Sequence, residues 1–528
     1  MTATLPSRPR HHRPDTHRLA EGEQVVVVGF GPVAGRFVDE MLPEVEAGRV
    51  GLTVVGAETE PAYNRVLVGE HAVGRVSQAE LSLTDAAELR TAGVRVLLGT
   101  SVTGVDRAER VVRAVGPSGA VVMLPFDRLV LATGADPTLP ATPDLSEGGR
   151  LIPGATPLRD LADAAVVRRA RDRGDRVVVW GGGVLGVEAS LALGEEGCPA
   201  TLVHRGGWPM GAAVSETAGR LLARSLAGQG VELVGEADVI GVERDEDGAF
   251  AGLHLDGGRV VRGDLLVVSC GVRPRVDVAR TAGLRTARGV RVGHDLAADV
   301  AGRIFAIGDC ADLHCDDAGC AICGGARHLV GLIGPGWQQA DWLARKCADE
   351  LAGVAPEPSW TPTRPAALRL KSHTIEFVTA GQCGGPLWSA GSDPARVVEW
   401  ADGSAGTFVR LDLRADRSIA GYQVLGLPRT AAEVGLMYER HTPVPADASV
   451  LLRLDALDIA RPHAAEFSPA STVCQCAGVA HATISEAVEQ GAATVDAVRM
   501  ATRAGSGCGT CRRDVEAIIA AAKEKSVA

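Results

Sequence analysis

Residues 25–38 read VVVVGFGPVAGRFV, and residues 177–189 read VVVWGGGVLGVEA. Both stretches follow one local plan, and that repeat limits the fold more than any other feature. Each opens on an unbroken apolar run, the pattern of a strand covered on both faces. Glycines follow, then an amphipathic stretch, giving strand, glycine turn and helix. Gly29 supplies the tight turn and Gly31 lets backbone N–H groups approach a pyrophosphate. Ala34 is small enough for close helix packing, and Pro32 suits the first helical turn, where a missing N–H costs nothing. In the second copy Gly181, Gly183 and Gly186 hold the turn positions, and Glu188 lies on the helix that follows. Each helix N-terminus then faces an anion.

The strand after each unit reports on the nucleotide. GLTVVGAE ends on Glu58, placed to accept from the hydroxyls of an adenosine ribose. PATLVHRGG offers His204 and Arg205 instead of an acid. Arg205 pairs with a 2′-phosphate, which favours NADPH, or it is a solvated surface charge; both readings stay open.

Bulk properties exclude other classes. A net charge of -11 argues against nucleic acid as a partner, and no apolar run is long enough to span a membrane. Residues 1–23, rich in Arg, His and Pro, lack an apolar signal core and read as a disordered basic arm. With aromatics at 3%, the cores must be built from Val, Leu, Ile and Ala. None of the 12 cysteines precedes Cys198, and they cluster rather than spread, which points to a reducing, cytoplasmic compartment and to metal or redox work. Cys198, Cys270, Cys347 and Cys383 stand alone and read as small buried residues.

Four thiols at the far end form two pairs, Cys474-x-Cys476 and Cys508-x-x-Cys511. Short helices are expected between them. Thr483 to Glu486 has the pattern of a capping box, and Gly505 that of a helix stop. Cys511 is expected at the N-terminus of a last helix, whose dipole lowers a thiol pKa. Such a set suits a [2Fe-2S] cluster, structural zinc or, last, free structural thiols, and Cys-x-Cys departs from the paired Cys-x-x-Cys of zinc sites. A second group lies in DCADLHCDDAGCAICGGARHL, residues 309–329. Its Cys315, Cys320 and Cys323 have ferredoxin-like spacing, with Cys310 or a distant cysteine as a fourth ligand, and His314 and His328 as alternative zinc donors. The alternative is a loop of surface thiols.

Further stretches match a known family. FDRLVLATGADP (126–137) resembles its apolar strand ending in Ala-Thr-Gly, and GRIFAIGDCAD (302–312) its strand ending in Gly-Asp. PAYNRVLVGE (61–70) and LIGPGWQQADWLAR (332–345) narrow the likeness. The chain resembles the FAD/NAD(P)-dependent pyridine nucleotide reductases. Within them it looks most like the electron-transfer subunits of assimilatory nitrate reductase and the N-terminal half of assimilatory nitrite reductase large subunits. Its last segment resembles the bacterioferritin-associated-ferredoxin type of [2Fe-2S] domain. The resemblance implies FAD at Gly29, Gly31, Ala34, Glu58, Asn64, Arg65, Thr133, Gly134 and Asp309. It implies NAD(P) at Gly181, Gly183, Gly186, Glu188, His204 and Arg205, and a cluster on Cys474, Cys476, Cys508 and Cys511. The 332–345 helix would aim its N-terminus at the flavin. The family's disulfide branch carries a cysteine pair after the first unit, which this chain lacks, so electrons must leave the flavin another way.

The expected fold is α/β with two Rossmann-like domains, the NAD(P) domain inserted in the FAD domain. A small α+β third domain and a small helical [2Fe-2S] domain follow. The expected boundaries are 24–150 and 270–345 for FAD, 151–269 for NAD(P), and 346–365 for a linker. Residues 366–450 form the third domain, with Lys371 on its first strand, 451–467 a second linker, and 468–528 the cysteine domain. The expected function is NAD(P)H-dependent electron transfer through FAD and [2Fe-2S] to a separate nitrate reductase catalytic subunit, with the chemistry carried by cofactors rather than by a catalytic side chain. Alternatives are a reductase of a small redox protein such as rubredoxin or ferredoxin, and a redox sensor with structural FAD and zinc. NADH against NADPH and a homodimer stay open. The large nitrite reductases continue into a sirohaem domain that this sequence does not reach, so nitrite reduction itself is not expected.

Overall fold

A computed structural model describes residues 22–315, 317, 320, 328–329, 332–361, 367–381, 383, 396–455 and 468–527. Cys323, most of the basic arm and most of the second linker lie outside the described residues.

The first apolar run is the strand Glu23–Val28, and Val25 to Val28 are 0–4% exposed. It is the middle strand of a five-stranded parallel sheet, with Val50–Val55 and Arg95–Leu97 on one side and Arg128–Leu131 and Ile304–Ala306 on the other. The helix Pro32–Glu46 follows the turn, with Gly31 as N-cap and Pro32 opening it. Its Phe37, Val38 and Met41 sink into the core. The helix Ile333–Leu351 packs beside it and is fastened by Arg36, which donates to Asp341.

Between the fourth and fifth strands of that sheet the chain builds a second one. Its order is Ala155–Thr156, Leu265–Val268, Val177–Trp180, Ala200–Val203, Val231–Val234, again all parallel. The insertion expected from the motif order is therefore the observed topology. The crossing is a strand pair, Ala135–Pro137 against Val272–Pro274. Leu145 already packs with Val178 and Leu266 of the second core, so the change of core comes before the expected boundary at 150.

The third domain is a five-stranded antiparallel sheet, ordered Ala367–Arg369, Phe377–Gly381, Ile419–Leu425, Thr407–Leu413, Arg396–Asp402. The helix Pro428–Glu439 covers one face through Ala431 and Val434. Lys371 falls just beyond the first strand rather than on it. The helix expected to end near 345 runs on to Leu351, into the stretch expected as linker, because Leu343, Ala344 and Cys347 continue its buried stripe.

The cysteine domain has a short hairpin, Thr472–Cys474 with Val479–Ala480, and three helices, His481–Glu489, Val495–Thr502 and Arg512–Val527. Two local expectations are corrected. Thr483 lies inside the first helix, whose N-cap is Ala480, so the capping box does not form. The second helix is stopped by Arg503 in the left-handed region at φ 64°, ahead of Gly505. Thr494 caps that helix by accepting from the Ala497 amide at 3.1 Å. The lone cysteines Cys198 and Cys347 are buried, Cys270 and Cys383 half-buried, and burial pushes all four thiols up.

Candidate dinucleotide sites and cysteine centre

The two glycine turns share a geometry that no side chain tolerates. Gly29 has φ +102°, and a Cβ there would lie 2.2 Å from the Ala132 carbonyl oxygen. Gly181 has φ +131°, and a Cβ there would lie 2.1 Å from the Ser269 carbonyl. A Cβ on Gly186 would sit 1.8 Å from the Gly181 carbonyl, which draws the helix Val184–Glu195 onto the turn. Gly183, the N-cap of that helix, and Gly134, at φ +71°, face open space. Both turns thus present free backbone at a helix N-terminus, the cradle a pyrophosphate needs.

Around the first turn the expected residues gather closely. The Arg65 Nε lies 3.6 Å from the Cβ position of Gly31. Arg65 pairs with Glu58, and the Tyr63 hydroxyl donates to the same carboxylate at 2.7 Å. Arg65 also lies over the Tyr63 ring, 4.7 Å from its centroid. Burial, helped by the Glu58 carboxylate and against the pull of Arg65, holds the Tyr63 hydroxyl protonated well above its ordinary range. Asp309 accepts from Arg159 at 2.6 Å, and the Thr133 hydroxyl donates to the Arg275 carbonyl at 2.8 Å. The carboxylate implied for the ribitol therefore faces a guanidinium from the second unit.

Asn64 is placed differently from the expectation. Its Nδ2 donates to the carbonyls of Ser506 and Gly507 at 2.7 and 2.6 Å, and its Oδ1 accepts from the Val66 amide at 3.0 Å. The carboxamide is 2% exposed, and both of its N–H hydrogens are spent on the cysteine domain. Sequence reasoning had no signal for this, since the two partners are far apart in the chain.

Around the second turn two expectations are corrected. Glu188 is buried at 8% exposure, accepts from the Lys371 amide at 3.0 Å and pairs with the Lys371 ammonium. Lys371 Nζ also donates to the Val66 carbonyl at 2.9 Å. Burial pushes the Glu188 carboxyl up, against the pull of Lys371. Glu188 thus ties the second unit to the third domain. His204 is 5% exposed and lies under Gly182 and Gly235, and burial lowers its pKa. It is a neutral core histidine, whereas Arg205 is exposed at the end of its strand.

The four C-terminal sulfurs converge. Cys474 and Cys476 sulfurs are 3.7 Å apart, and Cys476 and Cys508 sulfurs 3.8 Å. The helix Arg512–Val527 starts directly after Cys511, as expected. Anionic character nevertheless collects elsewhere. Hydrogen bonding with Cys476 and Cys511 holds Cys474 below the ordinary thiol range, and hydrogen bonding with Cys476 lowers Cys508. Cys511, donating to Cys474, is raised. Four such thiolates can hold a two-iron cluster or one zinc ion.

The centre is seated on the first turn. A Cβ on Gly507 would lie 2.3 Å from the Cys476 sulfur and 3.4 Å from the Trp337 ring. The Trp337 indole donates to the Pro32 carbonyl at 3.1 Å. The N-terminus of the helix Ile333–Leu351 meets this centre as well, since a Cβ on Gly334 would lie 3.4 Å from the Cys476 carbonyl. Arg503 pairs with Asp39 at 3.0 Å, and Arg499 donates to the Glu80 and Ser82 carbonyls at 3.0 and 3.2 Å.

Comparison with known proteins agrees with this arrangement. The pyridine nucleotide-disulphide oxidoreductase family matches residues 23–329, and the BFD-like [2Fe-2S] binding domain matches residues 472–521. The chain belongs to the pyridine nucleotide-disulphide oxidoreductase family, and carries that [2Fe-2S] domain behind it. FAD, NAD(P)H and a [2Fe-2S] cluster are the cofactors that go with these domains. A nitrite reductase [NAD(P)H] of Bacillus subtilis is 26% identical over 94% of this chain and 57% of its own length. The assimilatory nitrate reductase electron transfer subunit of the same organism is 25% identical over 94% of this chain and 59% of its own. The chain spans little more than half the length of these curated relatives. The covalent putidaredoxin reductase–putidaredoxin complex shares the fold, with a TM-score of 0.67 at 20% identity over 82% of this chain and 98% of that one. No helix among the described residues is long and apolar enough to cross a membrane.

Proposed function

We propose that this chain is an NAD(P)H-dependent electron-transfer oxidoreductase that feeds a separate assimilatory nitrate reductase catalytic subunit. FAD binds at the first glycine turn, with Gly29, Gly31, Ala34, Glu58, Arg65, Thr133, Gly134 and Asp309 around it. NAD(P)H binds at Gly181, Gly183 and Gly186, with Arg205 as the exposed charge beside it. Cys474, Cys476, Cys508 and Cys511 hold the cluster. When bound, these groups supply hydride acceptance and one-electron exit. The residues of the chain hold the three sites in fixed relation. Arg65 and Tyr63 keep the Glu58 carboxylate oriented, and Asn64 and Trp337 hold the cysteine loop against the first turn.

The observation that carries this reading is the seating of the cysteine centre on the first nucleotide turn through Asn64 and Trp337. The name of the nitrate reductase relative supports the choice of acceptor. Clustered thiols support a reducing, cytoplasmic setting. The test is iron and sulfide analysis with EPR, followed by acceptor assays. The purified chain should carry flavin and two irons, reduce dyes with NAD(P)H, and deliver electrons to the nitrate reductase subunit in preference to rubredoxin or ferredoxin. Cys508→Ser should keep flavin reduction and lose delivery. A variant that still feeds that subunit at the wild-type rate would remove the cluster from the path.

A further inference from the structure

A second set of metal-binding side chains lies away from the C-terminal centre. His294, Cys315 and Cys320 bring their ligand atoms within 4.8 Å of one another, and all three are half-buried. The His294 Nε2 lies 3.4 Å from the Cys320 sulfur. Around one zinc ion a nitrogen and a sulfur sit about 3.5 Å apart and two sulfurs about 3.8 Å, given bonds of about 2.0 and 2.3 Å. The observed spacing is that of a set close to collapse onto one ion.

Sheet register explains why these residues meet. The strands Val290–Val292 and Ala311–Leu313 run parallel, with Val292 opposite Leu313. His294 and Cys315 each lie two residues past that pair, so the register brings them side by side. The His314 amide donates to the Val292 carbonyl at 3.0 Å and holds the two segments together at that point. The His294 carbonyl accepts from the Trp360 amide at 2.7 Å, so its backbone is fixed as well. His294 Nδ1 is buried without a hydrogen-bond partner, which leaves Nε2 as the nitrogen turned towards the sulfurs. Cys310, expected as a ligand here, is fully buried and donates to the Leu131 and Ile307 carbonyls at 3.3 Å. Cys315 spacing pointed to this loop, but His294 lies beyond the end of another strand and carried no sequence signal.

We propose that His294, Cys315 and Cys320 bind one divalent ion of the zinc class, distinct from the C-terminal centre. One imidazole and two thiolates form a borderline-soft donor set suited to zinc and not to calcium or magnesium. Loading displaces the two thiol protons to solvent and changes no oxidation state. The ion fastens the segment that follows Gly308 and Asp309 to the neighbouring strand end. It thereby steadies the carboxylate that faces Arg159.

Zinc uptake by the full-length chain tests this. The protein is incubated with Zn2+, dialysed, and assayed for zinc and iron by elemental mass spectrometry. We expect one zinc per chain beyond the iron. Cys315→Ser combined with Cys320→Ser should lose that zinc and keep the iron, and Cys310→Ala should keep both. In Co2+ titrations, wild type minus the double variant should give thiolate-to-cobalt charge transfer and the d–d bands of a tetrahedral N/S site. Should the double variant fold poorly, His294→Ala should weaken zinc affinity by at least about tenfold at unchanged circular dichroism. Zinc retained in the double variant, or absent from wild type with Cys315 and Cys320 titrating as free or disulfide-linked thiols, overturns the proposal. Iron is counted in the same samples, so failure of this site and failure of the electron-transfer reading give different results.

Discussion

The two glycine turns are nearly one backbone, yet their surroundings have little in common. Gly29 and Gly181 share the left-handed conformation and the same close approach to a carbonyl of the neighbouring strand. The first turn is closed over by the helix Ile333–Leu351 and by the cysteine loop, through Trp337 and Gly507. The second stays open at Gly183, and its helix is fastened from behind by Lys371 of the third domain. A turn's shape is written in a dozen local residues. What the turn serves is decided by partners hundreds of residues away.

Substitution at the turns gives the largest expected effect. Gly29→Val and Gly181→Val each force a side chain into a backbone carbonyl at a positive φ, at a cost of about 3 kcal/mol or more. The Gly29 variant should lose flavin. The Gly181 variant should keep flavin absorbance and lose NAD(P)H binding. Gly183→Ala, in open space, should move the thermal midpoint little while weakening nucleotide binding, and equal losses at both positions would break the comparison.

Next is Lys371→Met, which leaves Glu188 buried without its cation. Urea unfolding should register a loss of about 3 kcal/mol, part of it recovered by Glu188→Gln in the same chain. No recovery would mean that Lys371 acts through Val66 instead. Asn64→Ala strands two buried carbonyls and should loosen the cysteine domain by about 1–3 kcal/mol. Faster hydrogen exchange at 505–511 with unchanged flavin content is the expected signature.

The smallest effect is one of pH. Burial pushes the Asp39 carboxyl up to about 6 from 3.8, against the pull of Arg503. The folded value lies above the unfolded one, so the folded chain favours protonated Asp39. That contribution is full below about pH 4 and is lost as pH rises through about 6. Asp39→Asn should therefore stabilise the folded chain by about 1–2 kcal/mol at pH 8 and leave it unchanged at pH 4. A destabilising effect at pH 8 would make the Arg503 pairing the dominant influence.

These contrasts also mark how far the sequence could be read. Both strand–turn–helix units, the insertion of one in the other and the four terminal thiols were legible, because each rests on residues close in the chain. Asn64 and Glu188 were not. Each lies next to a nucleotide motif, and each is claimed by a side chain or carbonyl that only the folded chain brings near. His204 looked like a nucleotide-site residue from its position after a strand, yet the glycines at 182 and 235 leave a hollow that its ring fills. The capping pattern at Thr483 failed because the helix starts at His481, straight after the hairpin.

Asn64 offers both hydrogens of one amide to two successive carbonyls, a match that a slip of a single residue would destroy. The latch is therefore keyed to position, much as a ratchet pawl admits only whole teeth. Anyone grafting this terminal module onto a different flavoprotein would need to transplant the latch and its indole neighbour. Adjusting the length of the intervening tether would not recreate the alignment.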